Sequence, residues 1–182
     1  MQDLAPDLAD SIMQSCAGLG GVAEPEQLRP SAWDLAYEGG VVVELDEELH
    51  FNRYRLVTFE APWTASLPWR ISYRQYCDAH EAECLTAGGW GQRWTNPSCE
   101  AMFGAADNPG VFGAVGAPRW KQRALYDSIK DAYARSTGVR LARISVHDHV
   151  GGVEIGRGLQ GAETLNVDAL RAFVEQRTTR PT

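Results

Sequence analysis

The sequence predicts a mixed α/β domain, in which a leading helix, a mixed sheet begun by an antiparallel hairpin, a crossover helix and a closing strand form the core. Three observations carry that expectation. The run Val41-Val42-Val43 follows the turn Glu38-Gly39-Gly40 and an alternating segment ending at Tyr37, the pattern of a hairpin. Residues 119–136 hold the clearest helical pattern in the chain, and VRLARISVHD at 139–148 follows as a strand. Between these parts, 57–118 carries Trp63, Trp69, Trp90, Trp94, Phe103 and Phe112, and so reads as a long ordered insertion packed on the core rather than an independent domain.

At 182 residues, 44% hydrophobic and 23% charged, the chain is long enough for a single domain, 1–182, with a real core. Residues 3–18 read as a first helix, with Leu4, Leu8, Ile12 and Met13 on one stripe and the glycines of 18–21 ending it. Pro25 and Pro30 punctuate a loop over 22–31. Short strands follow at 32–37 and 41–46. Residues 48–60 read as helical, 61–69 as a Pro/Trp-rich connection and 70–86 as a helix, while 87–118 carries little periodic signal. In 119–136, Leu125 marks the buried stripe, with Ile129 and Ala132 within about 40° of it. Gly138 caps this helix. After a glycine-rich tail at 149–165, a last helix spans 167–177 with Asn166 as its N-cap.

No apolar run approaches the length of a membrane span, and the acidic start MQDLAPDLADSIMQSC lacks the basic segment of a signal peptide. The chain therefore reads as soluble and cytoplasmic, with no membrane partner. In that setting Cys16, Cys77, Cys84 and Cys99 are thiols or metal ligands rather than a disulfide framework. A net charge of −7 argues against a simple nucleic-acid-binding domain, but its distribution is uneven. Residues 1–60 hold 12 acids and 3 bases, whereas residues 119–182 hold 7 acids and 11 bases. An acidic cation site beside a basic phosphate-binding surface would look like this, and so would random surface charge.

The hairpin decides which residues share a face. With a three-residue loop, Tyr37 faces Val41, Leu35 faces Val43 and Trp33 faces Leu45, which gathers six apolar residues on one side. Asp34, Glu44 and Asp46 then converge on the other, with directly paired Cβ atoms roughly 5 Å apart. Three such carboxylates repel one another unless something positive lies between them, and Mg2+ or Mn2+ are the natural candidates. The competing reading is a solvated polar face. The chain has only two lysines, Lys121 and Lys130. Relative to Leu125, Lys121 lies about 40° away, towards the buried stripe, and Lys130 about 140° away, on the solvent side. Lys121 is thus expected to reach the carboxylates if its helix packs on the hairpin; otherwise it snorkels at a helix end. A phosphate would suit that helix start, beside Arg119 and Arg123.

This order of elements resembles the PD-(D/E)XK nuclease superfamily, the restriction-endonuclease-like fold, and within it the very-short-patch-repair-like branch. Trp33-Asp34, the glycine turn, VVVELDEELH and the later KQRALYDSIKDAYARSTGVRLARIS carry the likeness, over residues 31–50 and 119–148. The resemblance implies a restriction-endonuclease-like core and a Mg2+- or Mn2+-dependent nuclease, acting on DNA rather than RNA, in repair, restriction or phage defence. Asp34, Glu44 and Asp46 would hold the metal, Lys121 would position a water, and His50 would orient groups or shuttle a proton. Arg53, Arg55, Arg119 and Arg123 would hold backbone phosphates. Asp46 stands where the superfamily's usual lysine would be. Some branches carry that lysine on the following helix, which Lys121 fits. For His50, a core or helix-surface hydrogen bond fits as well as catalysis. Two alternatives stay open: a non-catalytic nuclease-fold module binding nucleic acid or a protein partner, and a metal enzyme outside nucleic-acid chemistry. A homodimer is also left open.

Cys77, His80 and Cys84 share a helix face and with Cys99 offer four zinc ligands. Two ligands seven residues apart rise about 10 Å, awkward for one ion, so buried thiols are expected and a structural Zn2+ is the alternative. His147 and His149 flank Asp148 in what reads as a polar strand end, with a second metal site as the alternative. GRGLQG at 156–161 lacks the strand–helix setting of a phosphate loop.

Overall fold

The computed structural model describes residues 4–22, 32–89 and 91–180. The expected Pro25–Pro30 loop and Trp90 lie outside the described residues. Helix α1 (Pro6–Gly18) starts on a proline at its first position, where the missing N–H costs no hydrogen bond. Its stripe of Leu8, Ile12 and Cys16 packs against Leu125, Ile129 and Ala132 of α5 (Pro118–Thr137). The stripe centred on Leu125 is buried as its spacing requires, but it faces α1 and not the sheet.

Strands β1 (Leu35–Tyr37), β2 (Val41–Asp46) and β3 (Arg140–Ser145) form one sheet in the order β1-β2-β3. β1 and β2 are antiparallel, with Leu35 opposite Val43 and Tyr37 opposite Val41. Glu38, Gly39 and Gly40 form the three-residue turn between them. Gly39 and Gly40 have φ of 69° and 76°, a left-handed conformation that side chains resist. β2 and β3 run parallel, as a crossover through α5 demands. Strand alternation in β2 sends Val41 and Val43 into a cluster with Val150, Ile155 and Val174, and sends Glu44 and Asp46 towards α5. Trp33 departs from the expected face. It precedes the strand, escapes the alternation, and its ring lies 6.4 Å from that of Tyr133 on α5. Leu35 is exposed.

The expected helix over 48–60 divides into a short 3-10 turn (Glu48–His50) and α2 (Arg53–Thr58), because Asn52 caps α2 by accepting from the Tyr54 N–H. Helix α3 (Arg70–Gly88) packs on α2 and supplies Tyr73 and Cys77 to a cluster with Phe51, Phe59 and Trp69. Segment 57–118 therefore shares its core with the rest of the chain. Within it, α4 (Pro97–Phe103) is capped by Asn96, a helix too short to show periodicity. After β3, the strands β4 (His149–Val150) and β5 (Val153–Glu154) form a two-stranded hairpin leading into α6 (Ile155–Leu159). Helix α7 (Val167–Arg177) begins after Asn166, whose side chain accepts from the Ala169 N–H. No helix among the described residues is long and apolar enough to cross a membrane.

Candidate active site

Asp127, Lys130 and Asp131 sit at i, i+3 and i+4 on the side of α5 that meets β2 and β3. Lys130 Nζ donates to both oxygens of Glu44, at 2.7 and 2.8 Å, and to the Ala32 carbonyl at 3.1 Å. Beside this pair lies a guanidinium hub. Arg143, fully buried on β3, donates from Nη1 to Asp46 at 2.8 and 2.9 Å and from Nε to Asp131 at 2.6 Å. Its Nη2 reaches the Asp127 carbonyl at 3.2 Å. Asp131 also accepts from Arg55 at 2.8 Å. Asp46 takes a further bond from the Tyr73 hydroxyl at 2.7 Å, and His50 Nδ1 lies 3.2 Å from it and 2.8 Å from Asp127.

An open cavity of about 410 Å³ lies over the Glu44–Lys130 pair. Asp34, Glu44, Glu47, His50 and Asp127 bring acid and imidazole groups to its wall, and Arg119, Arg123 and Lys130 bring cations. Asp34 accepts from the Leu45 N–H at 3.0 Å, while its own N–H points at Glu44 at 3.3 Å. The sequence-predicted pair Asp34 and Glu44 therefore meets. Arg123 Nη1 is buried and has no hydrogen-bond partner among the described residues. A second cavity of the same volume, bounded by Ser66–Pro68, Arg135 and Thr178–Arg180, has no carboxylate among the described residues that line it.

Five expected placements are corrected. Lys121 does not reach the carboxylates: its ammonium lies 5.3 Å from the Tyr54 ring and 5.9 Å from the Phe103 ring, against the α1 side of α5. Burial lowers its pKa, with Asp107 opposing. The lysine at the carboxylates is Lys130, which the helical wheel placed towards solvent; α5 is covered on both sides, so that side is buried too. Asp46 does not line the cavity, and Arg143, Tyr73 and His50 occupy its oxygens. Arg55 is buried on Asp131 and presents nothing to a phosphate, and Arg53 is held by Glu81 at 2.7 to 2.9 Å, outside the cavity. His50, Arg119 and Arg123 do line it. Spacing could have found the missed residues: Asp127, Lys130 and Asp131 make a polar stripe on a long helix, and Arg143 is a charge in mid-strand.

The positive charge that three clustered carboxylates require comes from Lys130 and Arg143. Oxygen and nitrogen atoms of Asp46, His50 and Asp127 lie within 4.8 Å of one another, but Arg143 already holds that acid pair, so an ion there would face a guanidinium. Asp34 and Glu44 fit a hard cation better. Each lines the cavity, and Glu44 Oε2, which accepts from Lys130, keeps a second lone pair. Burial raises the Glu44 pKa, with Arg143 and Lys130 partly offsetting it. Burial alone would also raise that of Asp127, but His50, Arg143 and Arg55 outweigh it and hold the carboxyl well below its ordinary value. Cys77, Cys84 and Cys99 are buried free thiols, and burial pushes the first two up to about 12, far from the thiolate that zinc needs.

Fold and site together define a mixed α/β protein in which a β-α-β crossover closes over a buried ionic cluster and an acid- and arginine-lined cavity. The chain belongs to the family described as "Family of unknown function (DUF7255)", which matches residues 14–161 and so includes the whole cavity wall. No curated protein and no solved structure matches the chain.

Proposed function

We propose that the chain is a metal-dependent phosphodiester hydrolase acting on nucleic acid, DNA in preference to RNA. One observation carries this reading: Asp34, Glu44 and a lysine from the crossover helix meet in a cavity that also holds Arg119 and Arg123. Antiparallel β1–β2, crossover α5 and parallel β3 are also the parts of a restriction-endonuclease-like core that the sequence resemblance implies. On this reading the helix-borne lysine is Lys130.

Asp34 and Glu44 would hold Mg2+ or Mn2+, an ion content with one or two carboxylates plus water and phosphate. Held there, such an ion would supply an activated water and charge neutralisation at the phosphate. Arg119 and Arg123, which line the cavity, bind the backbone phosphates. Lys130, bonded to both oxygens of Glu44, orients groups at that carboxylate. His50 donates from Nδ1 to Asp127, which leaves Nε2 as the nitrogen able to take and return a proton.

The test is cleavage of plasmid, single-stranded DNA and RNA with Mg2+ or Mn2+, by wild type, Asp34→Asn, Glu44→Gln and Lys130→Met, each checked for folding. Loss of at least about a hundredfold in each variant is expected. Cleavage undiminished in both Asp34→Asn and Glu44→Gln sinks the proposed site. A second reading has its own observation: Lys130 occupies both Glu44 oxygens and Arg143 closes Asp46. A module that binds nucleic acid without cutting it fits that closure. Salt-sensitive DNA binding, lost on Arg119→Glu with Arg123→Glu, and no cleavage with either metal would favour it.

A further inference from the structure

Away from the cavity, α3 and the β3–β4 turn bring together three side chains that the carboxylate cluster does not use. His80 and Glu83, one helical turn apart on α3, share a face. His147 comes from the turn after β3, and its ring stacks on that of His80 with centroids 3.7 Å apart. Phe51 and Tyr76 close around His147, at 5.2 and 5.8 Å between centroids. Ligand atoms of His80, Glu83 and His147 all lie within 4.8 Å of one another.

His147 is 5% exposed, and its Nε2 has no hydrogen-bond partner among the described residues. Leaving a buried polar atom unpaired is destabilising, so its retention needs a reason. Its direction supplies one: Nε2 looks towards Glu83, whose Oε2 is 4.0 Å away. On the other edge of the ring, Nδ1 is 3.5 Å from Glu154 on β5. A carboxylate at Nδ1 and a vacant lone pair at Nε2 is the arrangement that orients a metal-binding imidazole. His80 Nδ1 meets Glu83 Oε1 at 2.8 Å, so the other two ligands already touch.

We propose that His80, Glu83 and His147 bind a divalent transition metal ion of the Zn2+ class, with Glu154 orienting His147. Two imidazoles and a carboxylate suit Zn2+ in number and in donor type, and leave a fourth position for water. Tetrahedral bonds of about 2.0–2.2 Å put neighbouring donors roughly 3.3 Å apart, so the side chains close by an ångström or so. The parallel rings must also splay, since an ion lies in the plane of each imidazole it binds. His80, on the outer side of α3, is the ring able to turn. The site would pin the β3–β4 turn to α3. It uses neither Cys77 nor Cys84, and it stands apart from the hydrolase reading.

The experiment is equilibrium titration of the full chain with Zn2+ against a chromogenic chelator, with thermal unfolding followed in parallel. One ion per chain and a raised unfolding temperature are expected. Binding should weaken at least about a hundredfold in His80→Ala and Glu83→Gln, and about 10- to 100-fold in Glu154→Gln. His80 and Glu83 are partly exposed, so these variants keep the fold even where His147→Ala does not. Absence of stoichiometric Zn2+ binding to the wild-type chain, or binding equal to wild type in both His80→Ala and Glu83→Gln, overturns the assignment.

Discussion

At the scale of single residues, Arg143 is the hub of the buried charges. It is fully buried and touches Asp46, Asp127 and Asp131. Removing one partner of such a set leaves buried charge uncompensated. Arg143→Met should therefore cost about 3–5 kcal/mol, read as a lower urea midpoint. Asp127 gives the cluster a pH signature. Its native pKa is held down by His50, Arg143 and Arg55 against the effect of burial, so the unfolded chain binds that proton more tightly. The stability it confers is complete above about pH 4 and is lost as pH falls below that towards the depressed native value. Urea unfolding of wild type and Asp127→Asn should show a gap at neutral pH that narrows on acidification; a constant gap refutes the assignment. Asp34 and Glu44 were legible in the sequence because strand alternation and a three-residue turn fix their register. The choice between Lys121 and Lys130 was not legible, because a helical wheel reports angle and not what covers each side.

Elements show the same division. Helix α5 has a stripe of Leu125, Ile129 and Ala132 against α1 and a polar stripe against the sheet, so burial extends round most of its circumference. Its end was plain from sequence: Gly138 has φ of 73°, and no atom lies near enough to obstruct a Cβ there. Gly138→Ala should thus cost about 1 kcal/mol through backbone conformation alone, measured as a lower melting temperature, while Gly138→Asn should recover part of it. Helix α7 was equally readable, since Asn166 marks its cap. The elements that sequence did not reveal include α4 with seven residues, α6 with five and the β4–β5 hairpin of two-residue strands, all too short for any period to register. Tertiary packing and caps make them.

Across the whole molecule, the uneven charge of the sequence has two destinations. Part of it pairs inside the fold: Glu44 and Asp46 from the acidic first third meet Lys130 and Arg143 from the basic last third. Of the other bases in the last third, Arg119 and Arg123 line the cavity. The sequence showed the imbalance but not this interleaving, because pairing across nearly a hundred residues leaves no local trace. Buried pairs are screened little by salt. Raising ionic strength from about 0.05 to about 0.5 M should move the melting temperature only slightly, whereas binding of any polyanion should fall steeply over the same range. Arg143 also limits how this chain can drift. A neutral residue at 143 takes a partner from three acids in one step, and a neutral residue at 46 or 131 leaves the guanidinium partly unmatched. Such positions couple energetically, so their substitutions depend on one another. Across relatives, positions 46, 127, 131 and 143 are therefore expected to co-vary as a block, ionic together or apolar together, and an alignment in which they change independently would contradict the hub.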